Sequence, residues 1–180
     1  MKMNHLLYMI GIPGSGKSTL MARALEGVPV IGQASKPFAH VVYSGGCQLG
    51  RLRKEFSGTD ALSMSVQPTV VEWLEKSCPY SIVVAEGDRL GNASFFLRVR
   101  QMTDWQLTLV YLDTPLEVAQ QRCKGRGSAQ DPTWWRGRVT KVSNLVLAFP
   151  IVRLDGMLAL EKLADQMFSM STIRALHNTP

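Results

Sequence analysis

The chain of 180 residues predicts an α/β three-layer sandwich with a mostly parallel central sheet. Two patterns predict it. Short apolar runs alternate with segments of helical periodicity, as they do when helices carry the chain between parallel strands. The later runs are continuously apolar, as strands buried on both faces must be.

The elements follow in chain order. Leu6–Ile10 reads as the first strand, and Leu20, Met21, Ala24 and Leu25 lie on one face of the helix that follows. Val28–Ile31 and Val41–Tyr43 are further strand-like runs. Between them and a helix at Thr69–Lys76, residues 32–67 are poor in periodicity and rich in Gly and Ser, which marks a substrate-facing region with loops. Ser81–Ala85 is a strand, and Asn92 is placed to cap a helix running to Gln101. Leu107–Leu112 is a strand, followed by Thr114-Pro115, a cap and a proline at the first helical position. Trp135, Val139, Val142, Val146 and Phe149 follow the 4-3-4-3 spacing of a helical core stripe. Ile151–Leu154 closes the strand set, and Met157–Met170 reads as a last helix with Leu160, Leu163, Ala164 and Met167 on one side. The whole, 1–180, is expected to be one domain.

Composition narrows the class. Hydrophobic content of 46% and charged content of 19% are those of a globular protein. No apolar stretch approaches the ~20 residues of a membrane span. The N-terminal run is short and feeds a glycine loop directly, so a signal peptide is not expected. Cys47, Cys78 and Cys123 are odd in number and lack metal-ligand spacing, which suits reduced packing thiols in a cytoplasm. The net charge of +6 favours a polyanionic partner. From Arg122 to Arg153 there are seven basic residues and one acid, Asp131.

Gly11-Ile12-Pro13-Gly14-Ser15-Gly16-Lys17-Ser18 matches G-x-x-x-x-G-K-[ST] between a strand and a helix, the context this phosphate-binding motif requires. Its glycines let backbone N–H groups turn toward phosphate oxygens, and the helix start adds unpaired donors and partial positive charge. Lys17 suits the β- and γ-phosphates, and the Ser18 hydroxyl suits Mg²⁺. Gly11, Pro13, Gly14, Ser15, Gly16, Lys17, Ser18 and Thr19 are the expected contacts of ATP.

Further groups point to chemistry on that nucleotide. The strand before Glu86 carries Glu86 and Asp88 to its carboxyl end, where ligands bind in open α/β sheets. Each can hold Mg²⁺ or accept a proton, or serve only as a turn cap; Glu86 is the expected metal partner beside Ser18. Arg89 can hold an anionic group of the substrate. Asp60, in Gly58-Thr59-Asp60, is either the base that orients an attacking hydroxyl or an Asx turn. His40, alone before a strand, reads as structural. Arg122 and Arg126 lie four apart at a helix end, suited to the charge of a transferring phosphoryl group or to a solvated helix end. Trp134, Arg138 and Lys141 form a stripe beside the core stripe, with Arg136 on the other flank, an arrangement that suits base stacking and phosphate pairing or the edge of a core helix. No Asn-Lys-x-Asp guanine-reading motif is present, and the chain is small for a mechanical ATPase.

The frame of phosphate loop, Glu86-Gly87-Asp88-Arg89, and Asp113-Thr114-Pro115 leading into Arg122 and Arg126 resembles the P-loop nucleoside and nucleotide kinase superfamily across most of the chain. The resemblance implies a P-loop kinase-like sandwich with a lid, here about 122–149 with the basic helix. More narrowly, His40, Gln48-Leu49-Gly50-Arg51, the word Phe56 to Met64, Glu86 to Leu90 and Arg136 to Leu145 are similar to the phage kinases of hypermodified-thymine synthesis, the 5-hydroxymethyluracil DNA kinases. That likeness implies ATP, Mg²⁺ and modified DNA as substrate. An extruded base calls for aromatic linings, for which Tyr43, Phe95, Phe96, Trp134 and Trp135 are candidates, and for cations such as Arg136, Arg138 and Lys141 along the phosphates. The alternatives are a kinase of a free nucleoside, nucleotide or other small alcohol, and a nucleotide-binding module without transfer.

Overall fold

The computed structural model describes residues 3–52, 57–128 and 130–179. Among them run β1 (Asn4–Ile10), α1 (Lys17–Ala24), β2 (Val30–Ala34), β3 (His40–Tyr43), β4 (Gly46–Leu49), a 3₁₀ turn (Thr59–Ala61), α2 (Gln67–Lys76) and β5 (Ile82–Glu86). Then follow α3 (Ala93–Gln101), β6 (Trp105–Asp113), α4 (Leu116–Gly125), α5 (Pro132–Ala148), β7 (Ile151–Asp155), α6 (Leu160–Ser169) and α7 (Ser171–His177). The strands form one sheet in the order β2-β3-β4-β5-β1-β6-β7. Strands β4, β5, β1, β6 and β7 are parallel neighbours, and β2–β3–β4 is an antiparallel meander at one edge. The α/β sandwich with a mostly parallel sheet is the predicted one.

Alternation along β1 builds both layers. Leu6, Tyr8 and Ile10 enter a core with Val70, Trp73, Phe95, Phe96 and Val99 of α2 and α3. Leu7 and Met9, pointing the other way, pack with Leu20 and Met21 of α1 and with Leu163, Met167, Ile173 and Leu176 of α6 and α7. A smaller cluster of Ile12, Ala119 and Val142 seats α4 and α5 beside the glycine loop. Strand β1 has β5 on one side and β6 on the other, so the chain crosses it between them. That makes the carboxyl end of β1 a topological switch point, where open α/β sheets bind ligands.

Several local expectations give way. Strand β4 is absent from the sequence reading because the alternation of Cys47 and Leu49 with Gly46 and Gln48 spans only four residues, yet all four are buried. Its signal was the Ser44-Gly45 pair after Val41-Val42-Tyr43, a hairpin turn. The second strand starts later than Val28, at Val30, with Val28 buried in the approach. The last expected helix starts later than Met157, at Leu160, and a further helix absent from the sequence reading, α7, follows the extended backbone of Met170. Thr114 caps nothing: Pro115 precedes α4 without a side-chain cap, and the Thr114 hydroxyl is used elsewhere. Asn92 does cap α3, accepting from the Phe95 N–H at 3.0 Å. Helix α5 is capped by Asp131, which accepts from the N–H groups of Thr133 and Trp134 ahead of Pro132 at its first turn. Among the described residues, no helix is long and apolar enough to cross a membrane.

Candidate active site

The octapeptide forms the turn between β1 and α1, and α4 packs directly against it. A side chain at Gly14 is impossible on two counts. Its φ is +80°, and a Cβ there would lie 2.3 Å from the Ala119 carbonyl oxygen. The Ser15 carbonyl accepts from the Thr114 hydroxyl at 3.1 Å and from Arg122 Nη1 at 3.2 Å, so the β6–α4 junction holds the loop open from outside. The Ser15 hydroxyl is buried and unpartnered, the one such hydroxyl among the described residues. Lys17 Nζ donates to the loop's own Gly11 and Ile12 carbonyls at 2.8 and 3.1 Å. Burial pushes its ammonium pKa down from 10.5, against the pull of Glu86 and Asp60. Pro13 and Gly16 complete the turn, Ser18 and Thr19 are exposed at the helix start, and Arg126 stands close enough to act on the Lys17 charge.

Glu86 ends β5 opposite Met9 of β1, which sets it beside the loop. It is 2% exposed, and its Oε1 accepts from Ser18 Oγ at 3.0 Å and from Ser57 Oγ at 3.3 Å. Burial raises its pKa above 4.5, while Lys17 and the two hydroxyls oppose the rise. Mg²⁺ takes hard oxygen ligands, one or two of them carboxylates, together with substrate phosphates and water. A paired hydroxyl and carboxylate at the mouth of a phosphate cradle fit that ion and its nucleotide, as does the orphaned Ser15 hydroxyl within the cradle.

Asp60 is drawn in by a different set of contacts. The 3₁₀ turn brings its Oδ1 to the N–H groups of Asp88 and Arg89, at 2.7 and 3.1 Å. The Asx-turn reading is corrected: Oδ1 accepts from residues 28 and 29 positions on, so the contact joins two loops and does not close a local turn, and no hydrogen bond reaches Oδ2 among the described residues. Its charge acts on Lys17, Glu86, Tyr8 and Lys141, which places it amid the polar groups of the site. Gly58 makes the approach possible: its φ is +60°, and a Cβ there would lie 2.3 Å from Glu86 Oε1. The end of the preceding loop is paired through Arg51 and Gly58. The similarity word's first residue, Phe56, lies outside the described residues.

Asp88 is not free to hold a metal or a proton as read from sequence. It pairs with Arg138 through Oδ2, and Lys141 Nζ reaches its Oδ1 at 2.7 Å and its carbonyl at 2.9 Å. Burial lowers the Lys141 ammonium pKa to about 8, with Arg138 and Arg89 adding to the shift and Asp60 opposing it. Arg138 and Lys141 thus fasten α5 to the β5–α3 loop instead of standing free for a ligand. Arg89 contacts the Met64 sulfur, and its Nε is buried without a partner. Trp134 is partly exposed with the Arg138 guanidinium 5.2 Å from its ring centroid, and exposed Arg136 donates to the Thr133 hydroxyl.

Four proposed aromatic linings are corrected. Phe95 and Phe96 are fully buried against Tyr8 and Phe149, Trp135 is in the core, and Tyr43 donates to Gln48 Oε1 inside the meander. Of the four, helical periodicity puts only Trp135 on a core stripe. His40 is structural, as read: its Nδ1 contacts the Phe38 carbonyl and its ring packs among Phe38, Trp73 and Tyr80.

Sequence reasoning missed Tyr8, Ser57 and Thr114. Tyr8 lies in the middle of an apolar strand, yet its hydroxyl donates to the Gly87 carbonyl at 2.8 Å and lies 3.1 Å from Thr59 Oγ1. Burial pushes its phenol pKa well above 10.0 and keeps it protonated. A tyrosine amid Leu6, Leu7, Met9 and Ile10 was the available signal, because a buried phenol needs a partner.

A glycine cradle at the switch point and a buried carboxylate beside its serine define the class: a P-loop nucleotide-binding protein. No curated protein matches the chain in sequence. The profile of the P-loop Nucleotide Kinase3 family matches residues 2–170, and the chain belongs to that family. Its fold is similar to an unliganded sugar kinase from Janibacter sp. HTCC2649 (TM-score 0.58, 15% identity, 99% of each chain covered). It is also similar to a gluconokinase from Sinorhizobium meliloti 1021 (TM-score 0.55, 16% identity, 98% of this chain and 93% of that one). At that identity, the likeness is one of fold.

Proposed function

We propose that this kinase transfers the γ-phosphate of ATP to the 5-hydroxymethyl group of 5-hydroxymethyluracil in DNA. The observation that carries the acceptor is the first half of α5, where Arg136 is exposed, Trp134 is partly exposed, and Arg138 and Lys141 join that helix to Asp88, one loop from Asp60. A basic, aromatic element fastened to the acceptor side suits a base attached to phosphates. The net charge of +6 agrees.

In this reading the backbone of Gly11–Thr19 and Lys17 hold the triphosphate, and Ser18 and Glu86 hold Mg²⁺, which neutralises phosphate charge when bound. Asp60 keeps Oδ1 on the Asp88 and Arg89 N–H groups and turns Oδ2 to the acceptor hydroxyl. The hydroxyl oxygen bonds to the γ-phosphorus, the bond to the β–γ bridging oxygen breaks, and the hydroxyl proton passes to Asp60. Arg122 and Arg126 stabilise the charge on the transferring group. Arg89 holds an anionic group of the acceptor.

One observation favours a second reading. Asp88 already pairs with Arg138 and Lys141, which leaves fewer cations for a phosphate backbone and suits a free nucleoside or other small alcohol. ATP labelled at the γ-phosphate, offered with hydroxymethyluracil DNA, unmodified DNA bearing 5′-hydroxyl ends, and free nucleosides, separates the two. The proposal predicts label in the modified DNA and a KM for it that rises steeply with salt. Label confined to free nucleosides, or to 5′ ends, overturns it.

A further inference from the structure

The basic helix contains a glycine that the fold does not ask for. Gly137 lies in the first half of α5, and a Cβ built there meets nothing within 4 Å. No turn, crossing or left-handed backbone requires it. In a helix interior glycine is less favourable than alanine, so the position carries a cost to stability without a packing return.

What glycine leaves is space. A pocket of about 470 Å³ opens at this point, lined by Asp131, Thr133, Trp134, Gly137 and Arg138. Trp134 stands one helical turn before Gly137 and gives the recess an aromatic wall, and the Arg138 guanidinium lies 5.2 Å from its ring centroid. The same Arg138 pairs with Asp88, whose N–H is held by Asp60. One side chain therefore belongs both to the recess and to the acceptor loop.

We propose that this recess is a base-binding subsite: a planar heterocycle of the acceptor stacks on Trp134 in the space that Gly137 leaves, with the Thr133 hydroxyl and Asp131 carboxylate at its polar edge. The inference rests on the acceptor being a nucleobase derivative. It names where that base is held.

Two substitutions separate helix propensity from space. Gly137→Ala adds one methyl, and Gly137→Met projects a longer side chain into the recess; both are good helix formers. Each raises Tm, by about 2–4 °C for alanine. Gly137→Met raises the KM for a hydroxymethyluracil oligonucleotide about tenfold or more, the scale of losing one base–aromatic stack, and Gly137→Ala raises it less. Trp134→Leu gives the same rise in KM. Wild-type KM for the oligonucleotide in Gly137→Met overturns the subsite while leaving the DNA reading standing. An increase confined to the KM for ATP also overturns it, since the recess would then hold the donor. If the wild-type enzyme phosphorylates free 5-hydroxymethyldeoxyuridine but not the oligonucleotide, and Gly137→Met raises the nucleoside KM, the subsite stands and the DNA reading falls. Transfer only to a sugar or other acceptor without an aromatic ring overturns both.

Discussion

The two halves proposed for the site, donor and acceptor, are built in opposite ways. The donor half is one continuous segment, Gly11–Thr19, made largely of backbone and shaped by where glycine is obligatory. The acceptor half gathers Tyr8, Asp60, Asp88, Arg138 and Lys141 from β1, the 3₁₀ turn, the β5–α3 loop and α5, and side-chain contacts hold them together. The cradle presents backbone N–H groups, so among the described residues it depends on neighbouring side chains only where Thr114 and Arg122 hold the Ser15 carbonyl. The acceptor assembly depends on side chains throughout, so the acceptor half is where substitutions without any contact to phosphate should matter.

Substitutions that break one half and spare the other test the contrast. Asp60→Asn keeps the Oδ1 acceptor for Asp88 and Arg89 but cannot take a proton. It should lower kcat by up to about 10⁴-fold with little change in the KM for ATP, measured by steady-state transfer. Lys17→Ala should cost about 10²–10³-fold in kcat and should also weaken ATP in equilibrium titration, because the loss falls on the donor half. Tyr8→Phe removes the hydroxyl that joins Gly87 to Thr59. Urea unfolding should show a loss of about 1–3 kcal/mol, with the KM of the acceptor rising more than that of ATP.

The smallest effect concerns pH. Glu86 has a folded pKa raised above 4.5 by burial, so in the window above 4.5 the folded chain keeps a proton that the unfolded chain has released. Stability of the nucleotide-free protein should therefore decline as pH rises through that window. In Glu86→Gln this part of the decline should vanish in thermal unfolding followed upward from pH 4.5.

The same contrast governs what the sequence could tell. The cradle was legible because its residue types recur at fixed spacing between a strand and a helix, and each has a physical reason to be there. Apolar periodicity likewise marked most elements and the core stripe of α5. Asp60 and Glu86 were legible as candidates, and so was Ser18 beside Glu86, but the partners of Asp60 were not. That Asp60 bonds the N–H groups of Asp88 and Arg89 depends on two loops meeting, which spacing does not encode. Asp88 looked available and is occupied, because Arg138 and Lys141 lie fifty and fifty-three residues away. Phe95 and Phe96 looked like linings, but apolar aromatics serve a core and a pocket by the same chemistry. Tyr8 was hidden by its apolar neighbours, and its hydroxyl was the clue.

One comparison tests the central claim most directly: ATP binding and phosphate transfer to hydroxymethyluracil DNA, measured side by side in wild type and Asp60→Asn. The separate halves predict wild-type ATP affinity in the variant together with the loss of nearly all transfer. Full transfer in Asp60→Asn, or loss of ATP binding along with it, would contradict the assignment of Asp60 to an acceptor half distinct from the cradle.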